Sequence, residues 1–253
     1  MSVWGVLPAR FGSTRFPGKP LVKIQGLELI AWVIRGAKTS RLLDKVIVAT
    51  DDQRIAAVAQ REGAEVAMTA SDIPSGTDRV WAAIKDKSVE IVLNIQGDEP
   101  LVTGGLIDSL IQPMLKDQML EMATLAHPIS TTELMSEHSV KVVVNHRSEA
   151  LYFSRYAIPY SRKSGGDHPT GALKHIGMYA FRGDFLKRYC QVAPVEIEMA
   201  ESLEQLRALH MGARIKVVTT EQRSWGVDTP EDIAVIENLL AQKSSEKNRG
   251  ENG

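Results

Sequence analysis

Cysteine is all but missing from this chain: Cys190 stands alone among 253 residues. A single thiol cannot close an internal disulfide or build a cysteine-based zinc site, which excludes a disulfide-stapled scaffold and a zinc finger. Long apolar runs are missing as well. No stretch approaches the roughly 20 consecutive apolar residues of a membrane-spanning helix, and the opening MSVWGVLPAR lacks the basic start and extended apolar core of a secretion signal. The reducing cytoplasm is therefore the expected compartment. Neither sign of charge is in excess, the formal net charge being −1. Nucleic acid and anionic membrane surfaces are thus not expected partners, and any phosphate must be held by locally placed arginine and lysine.

What is present is an ordinary globular composition, 43% hydrophobic and 24% charged, able to bury roughly 70–75% of the unfolded surface. Short runs rich in valine and isoleucine alternate with helical patterns, the order expected of an α/β protein with a parallel sheet. Strands are expected at Val3–Leu7, Lys45–Ala49, Glu65–Met68 and Ile91–Ile95. Leu29–Lys38, Asp52–Arg61 and Thr77–Ile84 carry apolar residues at helical spacing between them. The second half reads as an elaboration on the same sheet, with strands at Met122–Ala126, Ser139–Val144, Leu151–Arg155 and His175–Phe181 and helices at Ile197–Met211 and Pro230–Ala241. No low-complexity linker divides the chain, so one domain is expected over 1–243. Residues 244–253, in the polar ending KSSEKNRGENG, are expected to be disordered. Lys163–Ala172, rich in glycine, reads as a long mobile loop.

Three segments carry chemistry. After the first strand, PARFGSTRFPGKP sets Gly12 and Gly18 where backbone amides can approach an anion, with Arg10, Arg15 and Lys19 nearby. It is neither a Walker loop nor a dinucleotide fingerprint. A basic surface turn is the plain alternative, although ligands of open α/β sheets bind at the carboxyl ends of strands. NIQGDEPL and WGVDTPEDI each place an aspartate, Asp98 or Asp228, where a strand-like run ends. If the fold unites them, the pair suits magnesium, which takes one or two carboxylates together with phosphate oxygens and water. Singly, Asp98 is equally a turn residue before Pro100 and Asp228 part of a helix cap, while Glu231 and Asp232 suit the positive end of the last helix.

LPARFGSTRFPGKPL, VATDD, PSGTDR, NIQGDEPL, ALYFSR, KHIGMYAF, LEQLRAL and GVDTPED follow one another between Val3 and Leu240 in the order and spacing of the CMP-Kdo synthetases, the 3-deoxy-manno-octulosonate cytidylyltransferases. The chain resembles that family along nearly its whole length. The resemblance implies a three-layer nucleotidyltransferase fold, a Rossmann-like and mostly parallel sheet with helices on both faces plus a smaller sugar-binding and dimerisation elaboration. It further implies CTP and Kdo as substrates, Mg2+ as cofactor, a homodimer in the cytoplasm, and activation of Kdo for lipopolysaccharide biosynthesis.

By matching blocks, Leu7, Ala9, Arg10, Gly12, Ser13, Lys19, Ser75, Gly76, Arg79, Gln96, Gly97 and Asp98 would surround the nucleotide. Arg15, Gln96, Arg155, His175, Tyr179, Glu204 and Gln205 would surround the sugar, Arg155 and His175 meeting its carboxylate. Asp98 and Asp228 would hold the metal, and Arg10, Arg15 and Lys19 would offset charge on pyrophosphate as the anomeric hydroxyl of Kdo attacks the α-phosphorus in line. Without the resemblance His175 reads as a core histidine, and Arg207 as a brace for Glu204. SRYAIP, with Ala157 where many relatives carry proline, departs from the family pattern beside the sugar residues. That leaves 8-amino-Kdo or another acidic sugar as alternative acceptors. A non-catalytic nucleotide-binding regulator is the alternative of a different class.

Overall fold

Eleven strands and nine helices, counted among the described residues, follow the apolar spacing of the chain. The computed structural model describes residues 1–12, 16–163, 165 and 171–250, with side chains as far as residue 242. In chain order the elements are β1 (Val3–Ala9), a 3-10 turn (Lys19–Leu21), β2 (Lys23–Ile24), β3 (Leu27–Glu28), α1 (Leu29–Ala37), β4 (Lys45–Thr50), α2 (Gln53–Arg61), β5 (Glu65–Met68), α3 (Gly76–Ile84) and β6 (Ile91–Asn94). There follow α4 (Gly104–Lys116), β7 (Met122–Pro128), α5 (Thr131–Met135), β8 (Lys141–Val144), β9 (Ala150–Ser154), β10 (Leu173–Arg182), α6 (Gly183–Tyr189), α7 (Glu196–Glu201), α8 (Gln205–His210), β11 (Ile215–Thr219) and α9 (Glu231–Gly250).

The chain forms two compact units: unit 1 of Met1–Trp4, Ile84–Asn94 and Leu106–Arg223, and unit 2 of Gly5–Ala83, Ile95–Gly105 and Ser224–Gly253. The mixed α/β architecture, a mostly parallel central sheet with helices, agrees with the sequence reading.

In unit 2, β1 neighbours β4, and β4 runs parallel to β5 with Ile47 opposite Glu65. A parallel pair needs a crossover, and α2 supplies it. That helix starts where it does because the Asp52 carboxylate accepts the Arg54 amide at 2.8 Å, a side-chain N-cap. Ile24, Leu29, Leu101, Val227 and Ile236 are all buried in one cluster. Each contributes roughly 2 kcal/mol of apolar burial, and together they draw the β2–β3 hairpin, α1, the segment after β6 and α9 to one place. That cluster sets the Asp98 and Asp228 turns within reach of each other.

In unit 1 the strand order is β11-β7-β10-β6, with β8 on β10 and β9 on β8. β11 is parallel to β7, whereas β10 is antiparallel to both its neighbours. The β10–β7 register slips between Ile176 and Tyr179, and the Thr124 hydroxyl lies 3.2 Å from the Ile176 carbonyl and 2.9 Å from the Met178 carbonyl at this bulge.

α5 opens with a capping box: Ser130 Oγ accepts the Glu133 amide and Glu133 Oε2 accepts the Ser130 amide. Burial pushes the Glu133 carboxyl up, but the Ser130 bonds and the Lys174 ammonium 3.0 Å away outweigh it and hold it down at about 2. A carboxyl depressed in the folded state stabilises above its unfolded value near 4.5 and loses that contribution as the pH falls from about 4.5 towards 2. On the order of 1–3 kcal/mol of stability is expected to vanish over that window, and Glu133→Gln should flatten the acid limb of a denaturation series by that amount.

Four departures from the sequence reading have physical causes. α4 was not anticipated because Gly104, Gly105 and an internal Pro113 mask its apolar spacing. α6 and β11 are each only a few residues long and lack the period a longer segment would show. The single helix expected over Ile197–Met211 is two, broken at Ser202, whose φ of +52° lies in the left-handed region. α9 continues to Gly250, so the polar ending is helical at its start, there being no proline or glycine before Gly250 to stop it. Of the glycine-rich loop, residues 164 and 166–170 lie outside the described residues. Among the described residues no helix is long and apolar enough to cross a membrane.

Candidate active site

Two sets of residues stand out, one in each unit, and each contains a buried nitrogen that lacks a hydrogen-bond partner among the described residues.

The set in unit 2 begins at the end of β1, where Leu7 and Ala9 are buried in the strand and Arg10 emerges into solvent. Ser13 and Arg15 lie outside the described residues. The loop closes where the Gly18 amide donates to the Phe11 carbonyl at 2.9 Å. Gly18 has φ +72°, and a Cβ there would stand 3.1 Å from the Phe11 ring, so glycine is required on both counts. Gly12 has no atom within 4 Å of the position a Cβ would take. Gly97 packs against β1, a Cβ there standing 3.0 Å from the Pro8 carbonyl.

Lys19, at the start of the 3-10 turn, ties the acidic segments together. Its ammonium donates to Asp98 Oδ2 at 2.6 Å and to the Val227 carbonyl at 2.8 Å, with Asp228 Oδ1 3.7 Å away. The Val227 amide in turn donates to the Asp98 carbonyl at 2.9 Å. Asp98 and Asp228, 130 positions apart in sequence, therefore converge on one cation. At the start of the last helix Asp232 Oδ2 accepts the Asp228 and Thr229 amides at 2.8 Å each. Next to Asp98, burial pushes the Glu99 carboxyl up to about 7, with the Asp98 charge adding and a Ser224 hydrogen bond opposing.

Ser75 precedes α3, where its hydroxyl accepts the Asp78 amide at 3.1 Å and donates to the Asp78 carboxylate at 2.9 Å. Its side chain is committed to the helix start, and its carbonyl accepts the Arg79 amide at 3.1 Å. Gln96 is half-buried directly before Gly97. Arg79 is 2% exposed, its Nη1 donates to Thr69 Oγ1 at 2.5 Å, and its Nη2 is buried without a hydrogen-bond partner. Burial lowers its pKa, the Asp51 carboxylate opposes this, and the charge of Arg10 adds to the lowering. Two guanidinium groups thus bear on one place with a donor unused, which is how a protein prepares for an anion or a carbonyl.

The set in unit 1 is built on β10, β9 and the α7–α8 corner. His175 is buried, edge-on to Phe153 with ring centroids 5.0 Å apart, and burial pulls its pKa down to about 3. Its Nε2 lies 2.9 Å from Thr124 Oγ1. The Thr124 hydrogen is needed by a main-chain carbonyl at the bulge, so the hydroxyl accepts from His175 Nε2–H, and Nδ1 is left as an acceptor. His175 is therefore a neutral imidazole: the reading of it as a second cation for a carboxylate is corrected by its burial.

Arg155 has three donors in use among the described residues: Nε to the Glu201 carbonyl at 2.7 Å, Nη1 to the Glu137 carbonyl at 3.1 Å and Nη2 to the Ser202 carbonyl at 3.4 Å. A guanidinium has five N–H groups, so two remain. Tyr179 donates its hydroxyl to Gln205 Oε1 at 3.1 Å, while Gln205 Nε2 is buried without a hydrogen-bond partner. The nearby Glu204 charge joins burial in pushing the Tyr179 hydroxyl far up. Arg207 grips Glu198 with two bonds of 2.8 and 2.5 Å, both residues buried, so it braces α7 against α8. Sequence reasoning missed Asp51, which follows β4 and bonds the Phe11 amide at 3.1 Å. The paired acids of VATDD were its signal.

A profile of the cytidylyltransferases matches residues 4–215. The chain is 60% identical to the 3-deoxy-manno-octulosonate cytidylyltransferase of Bdellovibrio bacteriovorus over 96% of its own length and 99% of that protein. It is 47% identical to the protein of that description in Nitratidesulfovibrio vulgaris, over 94% of this chain and 96% of the other. Among solved structures it superposes on a CMP:2-keto-3-deoxy-manno-octonic acid synthetase complexed with CTP, with a TM-score of 0.91, 41% identity and coverage of 96% of this chain and 100% of the other.

Proposed function

The chain belongs to the 3-deoxy-manno-octulosonate cytidylyltransferase family, and we propose that it transfers CMP from CTP to the anomeric hydroxyl of 3-deoxy-D-manno-octulosonate (Kdo), releasing pyrophosphate. The observation that carries this reading is the convergence of Asp98 and Asp228 on the Lys19 ammonium. Together they offer hard oxygen ligands for a metal and a cation for the phosphates of a triphosphate.

In the reaction the sugar hydroxyl oxygen forms a bond to the α-phosphorus and the bond from that phosphorus to the β-phosphate oxygen breaks. The hydroxyl proton passes to solvent, and no covalent enzyme intermediate forms. Lys19 and Arg10, with Arg15, balance the charge that builds on pyrophosphate. Arg79 gives its unused Nη2 donor to the nucleotide, and the main chain around Ser75 and Gly76 borders the cytosine. Asp98 and Asp228 fit a magnesium ion as hard oxygen ligands, the rest of the coordination coming from phosphate and water. When bound, the ion supplies Lewis-acid stabilisation of the reacting phosphate.

For the sugar, Arg155 supplies the cation for the carboxylate from its two remaining N–H groups. Gln205 Nε2 donates to a sugar oxygen, which removes the cost of about 1–3 kcal/mol of leaving that group buried and unpaired. The neutral His175 accepts from a hydroxyl at Nδ1, and Glu204 and Tyr179 complete the polar lining. Pyrophosphate release from CTP with Kdo, 8-amino-Kdo or N-acetylneuraminate as the varied acceptor tests the assignment. Release with Kdo is expected; release with another acid alone would overturn the sugar, and none with any acceptor would favour a regulator that only binds nucleotide.

The same proposal includes a homodimer in the cytoplasm, serving lipopolysaccharide biosynthesis. In its support, unit 1 exposes Leu151 on β9, Tyr156 and Tyr160 just beyond it, and Met199 on α7. A 2.6 Å bond from Ser154 to Glu201 ties those two elements together. Apolar side chains so placed suit a second copy of the chain. Tyr156→Arg combined with Leu151→Glu is expected to halve the mass read by light scattering, and an unchanged dimer would move the interface elsewhere.

A further inference from the structure

We infer that Asp51 is the positioning residue of the nucleotide site, holding the Arg79 guanidinium and the start of the glycine- and arginine-containing loop in one arrangement before CTP binds; the inference rests on the reading of that site as the CTP site. Its two carboxylate oxygens face different elements. Oδ1 accepts the Phe11 amide at 3.1 Å, and Oδ2 stands 3.9 Å from Arg79 Nη2.

Phe11 is the fixed point of the loop. Its carbonyl accepts the Gly18 amide, and its ring packs on Gly18 and lies 3.9 Å beneath the Arg54 guanidinium. Arg79 is anchored from the other side, Nη1 bonding Thr69, whose amide donates to the Thr50 carbonyl at the end of β4. One carboxylate at the end of β4 therefore couples the loop to the buried arginine. Its neighbour Asp52 is different in kind, being spent on the cap of α2 and on Arg54.

Asp51 is near enough to attract the guanidinium, yet leaves Nη2 without a hydrogen-bond partner among the described residues. Arg10 adds a second positive charge that repels Arg79. An anionic counterweight behind Arg79 keeps the guanidinium in place despite that repulsion, and the bound nucleotide then meets a donor already oriented.

The test is calorimetric titration of CTP with magnesium into the unaltered chain, Asp51→Asn, Arg79→Met and the double variant, with the KM for Kdo and the Tm recorded for each. Asn keeps the shape and one acceptor but removes the charge. CTP affinity is expected to fall about tenfold or more in Asp51→Asn and less than about threefold further when Arg79 is already Met, the non-additivity of coupled residues. In Asp51→Asn the KM for Kdo and the Tm should stay near those of the unaltered chain. Equal CTP affinity in Asp51→Asn, or additive losses in the double variant, would overturn the positioning role alone. A lowered Tm with a parallel rise in the KM for Kdo would replace it by a role in folding. Failure of the unaltered chain to bind CTP would overturn the reading of the site and this inference with it.

Discussion

Asp98→Asn is expected to lower kcat/KM for CMP transfer by about 10³ or more, some 4 kcal/mol of transition-state stabilisation, while leaving the chain folded. Asparagine keeps the shape of the side chain but loses the negative charge that the Lys19 ammonium meets at 2.6 Å and that a metal would require. The Asp98 and Asp228 turns remain linked through the Val227 amide and the Asp98 carbonyl, and Ile24, Leu101 and Val227 still pack beneath them. The stability cost should therefore be only that of a partly exposed ion pair, about 1 kcal/mol, or a few degrees in Tm. Steady-state pyrophosphate release beside a thermal melt reads both. Turnover within about tenfold of the unaltered chain would remove Asp98 from the chemistry.

The second large effect is on stability. Lys141 is fully buried, and its ammonium donates to the carbonyls of Ser136 at 2.9 Å, Ser139 at 2.6 Å and Arg155. Burial lowers its pKa, the Glu201 charge opposing this. Methionine matches its length but carries no donor, so Lys141→Met strands the buried Ser139 carbonyl and takes a charged donor from the part-buried carbonyls of Ser136 and Arg155. A loss of about 3–5 kcal/mol follows, or roughly 6–20 °C in Tm. Because one of those carbonyls belongs to Arg155, whose guanidinium grips the Glu137 carbonyl between the other two, the KM for Kdo should rise in whatever fraction remains folded. A Tm within about 3 °C of the unaltered chain would mean that the carbonyls find other donors.

The parts legible in the sequence were those that simple periodicity or a strand end defines. β4, β5 and α2 lie within a residue or two of their expected bounds because apolar spacing and the Asp52 cap act locally. Asp98 and Asp228 were legible as candidates, each ending an apolar run, but their convergence depends on the buried cluster of Ile24, Leu29, Leu101, Val227 and Ile236, which no local pattern encodes. The charge state of His175 was not legible: a neutral imidazole follows from burial beside Phe153 and from the carbonyls that a bulge in β10 turns towards Thr124. Arg207 looked like a partner of Glu204 by helical spacing. Its two bonds to Glu198 could not be read from that spacing, because the break at Ser202 separates α7 from α8. Asp51 was hidden by its neighbour, since in a pair of aspartates before a helix the cap explains one and draws attention from the other.

The most direct measurement is the product itself. Incubation with CTP, magnesium and Kdo, followed by mass spectrometry of the nucleotide fraction and quantification of pyrophosphate, is expected to give CMP-Kdo and pyrophosphate in a ratio of about one to one, with neither formed when Kdo is left out. Free CMP and pyrophosphate appearing at the same rate with and without Kdo would contradict the account, because the residues assigned to the sugar would then take no part in the reaction.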